Sequence, residues 1–120
     1  MKVTFLSKLH VEKMDDEDKW VLIDAFIAQV DERKIVVPAG FHHDFASVPR
    51  IPLAYMLAGN TAHKSAVIHD WLYTVGEDRK YADSVFYAAM EAEGVPWFRR
   101  NAMWAAVRMF GGGAYTAKAA

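Results

Sequence analysis

Polar and apolar positions alternate from residue 2 to residue 11. Val3, Phe5, Leu9 and Val11 fall on one side; Thr4, Lys8 and His10 fall on the other. A period of two predicts a half-buried strand. Lys19 to Val30 is nearly all apolar, broken in pattern by Asp24, and predicts a second, longer strand. Ile35-Val36-Val37 predicts a third, stopped by Pro38. The connections between them, Met14 to Asp18 and Asp31 to Lys34, are short enough for an antiparallel meander. The acidic Met14–Asp18 run reads as an exposed hairpin connection, because its oxygens lack the spaced pattern of a calcium loop.

Beyond Pro38 the pattern changes. Ala39-Gly40 opens an irregular segment, F-H-H-D-F-A-S-V-P-R-I-P, whose prolines hold residues 47–52 extended, and Leu53 to Leu57 suggests a short helix. The period then becomes helical. Thr61 is an N-cap for a first long helix that Gly76 stops. Asp78 caps a second, from about Arg79 to Ala92, ended by Gly94. Pro96 opens a third, Trp97 to Phe110, terminated by Gly111-Gly112-Gly113, with the remaining residues frayed. The predicted class is α+β: an N-terminal antiparallel sheet of about three strands followed by a three-helix C-terminal half. One domain, 1–120, would comprise a sheet part at 1–38, a loop at 39–60 and a helical part at 61–113.

The first long helix has two unlike faces. Val67, Ile68, Trp71 and Leu72 make an apolar face; Ala62, Ser65, Ala66, His69, Asp70 and Tyr73 lie almost opposite. A merely solvated face would carry Lys and Glu, so this helix is expected to be covered on both sides. On the second helix, Asp83, Phe86, Tyr87 and Met90 share one stripe. A carboxylate in an apolar stripe is costly unless paired, and His69 is the evident partner. An imidazole held by Asp83 and flanked by Asp70 can act as a general base near neutral pH. A buried network that locks two helices together is the competing reading of the same residues.

Other residues carry weaker signals. His42, His43 and Asp44, with His63 or His69, could bind a transition metal, but adjacent strand histidines point to opposite sides and no H-E-x-x-H spacing is present. Ser47 lacks the G-x-S-x-G context of a nucleophile; with Asp44 it suits a loop fixed through backbone amides. Arg50 between prolines could hold an anion or a surface salt bridge. In the third helix the apolar arc holds Phe98, Ala102, Met103, Ala106, Val107, Met109 and Phe110, while Trp97 and Trp104 fall among Arg100, Asn101 and Arg108. Two readings stay open for Trp97, Arg100, Trp104 and Arg108: a face that docks a partner or a membrane interface, or a surface covered by the sheet.

Composition removes several alternatives. With 53% apolar residues the chain is not disordered. Lys and Arg total 14 against 15 Asp and Glu, a net charge of −1, so no nucleic-acid partner is expected. There is no cysteine, hence no disulfide and no thiolate metal site. The opening M-K-V-T-F-L-S-K-L-H lacks a signal peptide's apolar run, and no transmembrane segment of roughly 18 apolar residues occurs.

The run V-P-A-G-F-x-x-D-F-A-S-V-P-R, then H-D-W-L-Y, A-D-x-V-F-Y-x-A-M-x-x-x-G-V and M-x-x-A-V-R-x-F-G, over residues 35–113, resembles a family of small phage and prophage proteins of unknown function. The resemblance implies a phage or prophage origin. With no signal-peptide pattern at residues 1–10, the host cytoplasm or the virion is the expected location, and lipid or another phage or host protein the expected partner. The H-D-x-x-Y helix answered by A-D is also similar to the catalytic helices of phospholipase A2 enzymes. That similarity implies His69 as the base activating water, Tyr73 and Asp83 as the groups anchoring it, Asp70 as a calcium ligand and a lipid ester as substrate. Those enzymes carry a glycine-rich calcium loop, Y-G-x-G-x-x-G, which this chain lacks; Gly40 to Ser47, with Asp44 as an oxygen ligand, would have to serve instead.

Overall fold

The structure is a computed structural model that describes residues 1–14, 19–43 and 62–119. The chain divides into two compact units, Met1–Asp44 and Phe45–Ala120.

The first unit holds two three-stranded antiparallel sheets. Strands β1 (Val3–Phe5), β4 (Phe26–Val30) and β5 (Arg33–Val37) form one, in the order β1-β4-β5. Strands β2 (Val11–Lys13), β3 (Trp20–Leu22) and β6 (His42–His43) form the other, in the order β2-β3-β6. The alternation in β4 places Phe26, Ala28 and Val30 in the core, where they meet Val3, Ile35 and Val37. Register is fixed by Val3 opposite Val30 and by Phe26 opposite Val37. Asp31 takes a left-handed φ of 52° at the β4–β5 turn, which a short polar side chain tolerates, and its carboxylate accepts from the Lys2 N–H at 2.8 Å.

The expected single strand over residues 2–11 is two strands in different sheets, and so is the expected 19–30 strand. The interruptions of strand structure at residues 6–10 and 23–25 lie side by side. Ser7 Oγ accepts the Ile27 N–H at 2.9 Å in place of a ladder carbonyl. Ile23 N–H reaches His10 O at 2.9 Å, and the His10 ring meets the Asp24 carboxylate at 2.7 Å. Both strands therefore leave one sheet and enter the other at the same level.

The second unit contains helices α1 (His63–Thr74), α2 (Arg79–Ala92), α3 (Trp97–Phe110) and α4 (Gly112–Ala119). Helix α1 packs on α2 and α4, α2 on α3, and α3 on α4. The stops fall where the sequence puts them: Gly76 and Gly94 take φ of 74° and 83°, and Asp78 caps α2 by accepting the Tyr81 N–H at 3.0 Å. Two expectations for the end of the chain are corrected. The glycine run does not end helical structure, since α4 begins at Gly112 and Tyr115 N–H bonds Gly111 O at 3.0 Å. In α3 only Met103 and Val107 are buried; Phe98, Ala102, Met109 and Phe110 of the expected apolar arc are exposed. The Thr61 cap, the 53–57 helix and the roles assigned to Asp44, Ser47 and Arg50 lie outside the described residues.

Candidate active site

Helix α1 is buried on both faces. Val67, Ile68 and Leu72 on one side and Ala62, Ser65, Ala66, His69, Asp70 and Tyr73 on the other are all sequestered from solvent. The first turn of this helix carries no side-chain cap of its own. Instead Glu93, at the end of α2, accepts the Ser65 N–H at 2.7 Å, the Ser65 hydroxyl, and the Lys64 N–H at 3.3 Å. A carboxylate at a helix N-terminus satisfies orphan donors and meets the positive end of the dipole. That contact fixes α1 against α2.

Two turns further along, the helices meet again at Asp83. Its Oδ1 lies 2.7 Å from His69 Nε2 and accepts the Tyr73 hydroxyl at 2.6 Å. His69 and Tyr73, four residues apart, stack one turn above the other with ring centroids 4.2 Å apart. Phe86 closes the other flank of the imidazole at 4.7 Å. His69 and Asp83 are both 0% exposed. The pairing expected from the two helical stripes is present.

Arg108, placed by the helical pattern opposite the apolar arc of α3, on a face read as docking a partner or covered by the sheet, belongs here. Its Nη1 donates to Asp83 Oδ2 at 2.7 Å. A buried carboxylate needs a cation or several donors, and this one has both. Arg79, one turn before Asp83, was missed altogether. Its Nη2 donates to the last carbonyls of α3, Val107 O at 2.7 Å and Arg108 O at 2.8 Å, while its Nε reaches Tyr73 Oη at 3.4 Å. Tyr115 of α4 packs edge-on against Tyr73 at 5.1 Å. A Cβ on Gly111 would sit 3.1 Å from Tyr73 Oη and 2.5 Å from Val107 O, so only glycine fits at that crossing.

Burial pushes His69 below its ordinary value, against the opposing pull of Asp83 and Asp70. The imidazole is therefore neutral at neutral pH. Asp83 experiences burial as its largest influence, which raises it, but the bonds from His69, Tyr73 and Arg108 together hold it below the usual carboxylate value. Burial and the bond to Asp83 raise Tyr73, which stays a phenol and donor. An ionised carboxylate only accepts, so the His69 proton on this side is on Nε2 and the ring's lone pair is on Nδ1.

Asp70 is buried beside this centre, its backbone carbonyl accepting the Thr74 hydroxyl at 2.8 Å. As a calcium ligand it would need company: calcium takes about six to eight oxygens. Among the described residues no group of three or more His, Asp or Glu side chains is placed to hold a metal. The described donors do not make a calcium shell, and Asp44 lies outside them. His42 is exposed and His43 buried, as alternate strand positions require, and His63 is half-buried at the start of α1.

On α3, Trp97 is 68% and Trp104 39% exposed, with Phe98, Met109 and Phe110 also on the surface. Arg100 is engaged locally, donating to Val95 O at 3.1 Å and stacking 5.1 Å over the Tyr87 ring, against which Trp104 also packs. Among the described residues no helix is long and apolar enough to cross a membrane.

Fold and site together define a small α+β protein with an imidazole–carboxylate–phenol cluster clasped between two packed helices and closed by arginines. Residues 20–107 match the family described as "Protein of unknown function (DUF1353)", and the chain belongs to that family. Neither the curated proteins nor the solved structures contain a match to it.

Proposed function

We propose that this is a hydrolase of phage or prophage origin, acting on a lipid ester, with His69 as its general base. The observation that carries the reading is the sharing of Asp83 Oδ1 by His69 Nε2 and the Tyr73 hydroxyl. The similarity to phospholipase A2 helices implies those anchoring roles for those residues. A second buried carboxylate, Asp70, sits one residue from the imidazole.

In the proposed reaction a water proton passes to the His69 imidazole as the water oxygen attacks the ester carbonyl carbon. Asp83 stabilises the imidazolium that forms and Tyr73 keeps the carboxylate in place. The imidazolium then returns the proton to the departing alkoxide as the acyl C–O bond breaks. Calcium is the first-choice ion, with Asp70 as its candidate ligand; because the described donors fall short of a full shell, no step here depends on it.

A specific observation favours a second reading. His69 has no exposed surface, and the α3 face bearing Trp97 and Trp104 does. On that reading the cluster is scaffold and the tryptophan face docks a phage or host protein. Fatty-acid release from mixed phospholipid vesicles, with and without calcium, by wild type and by a folded His69→Ala variant separates them. Turnover lost in the variant supports the hydrolase; no turnover in wild type under any divalent ion supports the scaffold.

A further inference from the structure

The carboxylate of Asp83 has two oxygens with different duties. Oδ1 takes the His69 ring and the Tyr73 hydroxyl. Oδ2 takes Arg108 Nη1 at 2.7 Å, with Arg79 Nε further off at 3.9 Å. Arg79 in turn holds the peptide carbonyls of Val107 and Arg108. The two arginines are thus reciprocal: α2 grips the end of α3 through Arg79, and α3 grips the middle of α2 through Arg108.

We propose that Arg108 is a positioning residue that, seated by Arg79, fixes the rotation of the Asp83 carboxylate and thereby aims Oδ1 at His69. The inference rests on the reading of His69 as the base. Its physical ground is that a carboxylate is two-fold symmetric and turns easily about its terminal bond. Oδ1 alone, with two donors arriving from the same side, does not stop that rotation; a charge-assisted bond to Oδ2 from the opposite helix does. Without Arg108 the nearest cation among the described residues is Arg79, whose Nε is 3.9 Å from Oδ2, and turning toward it draws Oδ1 off the imidazole. The guanidinium side chains of Arg79 and Arg108 are 26% and 31% exposed, so they form the wall of the cluster rather than its centre.

The test is the ring nitrogen and Nε2–H proton spectrum of ¹⁵N-histidine-labelled full-length protein at neutral pH, in wild type, Arg108→Lys and Arg108→Gln. Wild type should show a protected, downfield Nε2–H and a single protonated ring nitrogen on His69. Arg108→Gln should lose that proton signal to exchange and give mixed tautomers; Arg108→Lys, which keeps the charge but not the fork, should fall between them. An unchanged His69 spectrum in folded Arg108→Gln overturns the proposal. If the glutamine variant does not fold, an unchanged spectrum in Arg108→Lys does so, and failure of both to fold assigns Arg108 to stability alone and also overturns it. The spectrum reads the positioning of His69 whether or not ester turnover is found. Where turnover is found, Arg108→Gln should lower kcat by about 10-fold or more, on the scale of general-base catalysis, and leave KM close to wild type.

Discussion

Glu93 caps a helix it does not belong to, accepting the backbone N–H of Ser65 at 2.7 Å from the far end of α2. Glu93→Ala should therefore destabilise the protein by about 1–3 kcal/mol, by leaving buried first-turn N–H groups unpaired. Glu93→Gln keeps an accepting oxygen without a desolvated charge. Burial raises the Glu93 carboxyl above its ordinary value, with Ser65 and Lys64 opposing. A raised acid favours the folded state while protonated and penalises it once ionised, so wild-type stability falls as pH rises from the unfolded value through the folded one. Urea unfolding should find Glu93→Gln gaining on wild type across that rise, and level with it in acid.

The pH dependence of His69 runs the other way. Its folded value is lowered by burial, so the unfolded state binds the extra proton first. The His69 contribution should be full at pH 7.5 and decline as pH falls through about 6.5, the ordinary imidazole value. Asp83, also lowered, adds a separate loss only below about pH 4. His63 is also lowered by burial and Glu93 is raised, so the check is the difference between wild type and His69→Phe in denaturant midpoint against pH. A difference that stays flat between pH 7.5 and 5 would contradict it.

Tyr73→Phe removes one of two donors to Asp83 Oδ1 and leaves the ring packed on His69 and Tyr115. A hydrogen bond to a charged group contributes about 1.5–3 kcal/mol, and that loss is expected in the unfolding free energy. The shape is nearly unchanged, so the m-value should be too.

Gly111→Ala should cost about 1–3 kcal/mol, the range for overpacking, because its Cβ would press on Val107 O and Tyr73 Oη. Combined with Tyr73→Phe, the cost should be smaller than the sum of the two, since the phenol oxygen is one of the clashing atoms. A double-mutant cycle by thermal or urea unfolding measures the difference.

The helical half of the fold was legible because its punctuation is local. Gly76, Asp78, Gly94 and Pro96 act on their own backbone, and the structure uses each of them as a boundary. The meeting of His69 with Asp83 was legible too, because each lay on a stripe where its polarity had no solvent to explain it. The sheets were not: the alternation Val3, Phe5, Leu9, Val11 runs on through the break at Leu6, and period alone does not say which sheet a residue joins. Arg108 fell off the apolar arc, and a helical wheel knows nothing of the neighbouring helix that it meets. The signal for it was present: a buried Asp83 whose only named partner was a neutral histidine still lacked a positive charge. Arg79, four residues before Asp83 on the same helix, was the other cation within reach.

The central claim is that the imidazole held by Asp83 takes a proton from water during ester cleavage. Its most direct measurement is fatty-acid release from mixed phospholipid vesicles across pH 5–9, comparing wild type with His69→Ala and Asp83→Asn variants of verified fold, with and without calcium. The account predicts turnover that falls by at least about 100-fold in both variants, with an acid limb set by His69 deprotonation. Wild-type protein with no turnover at any pH and with any divalent ion, or a folded His69→Ala as active as wild type, would contradict it.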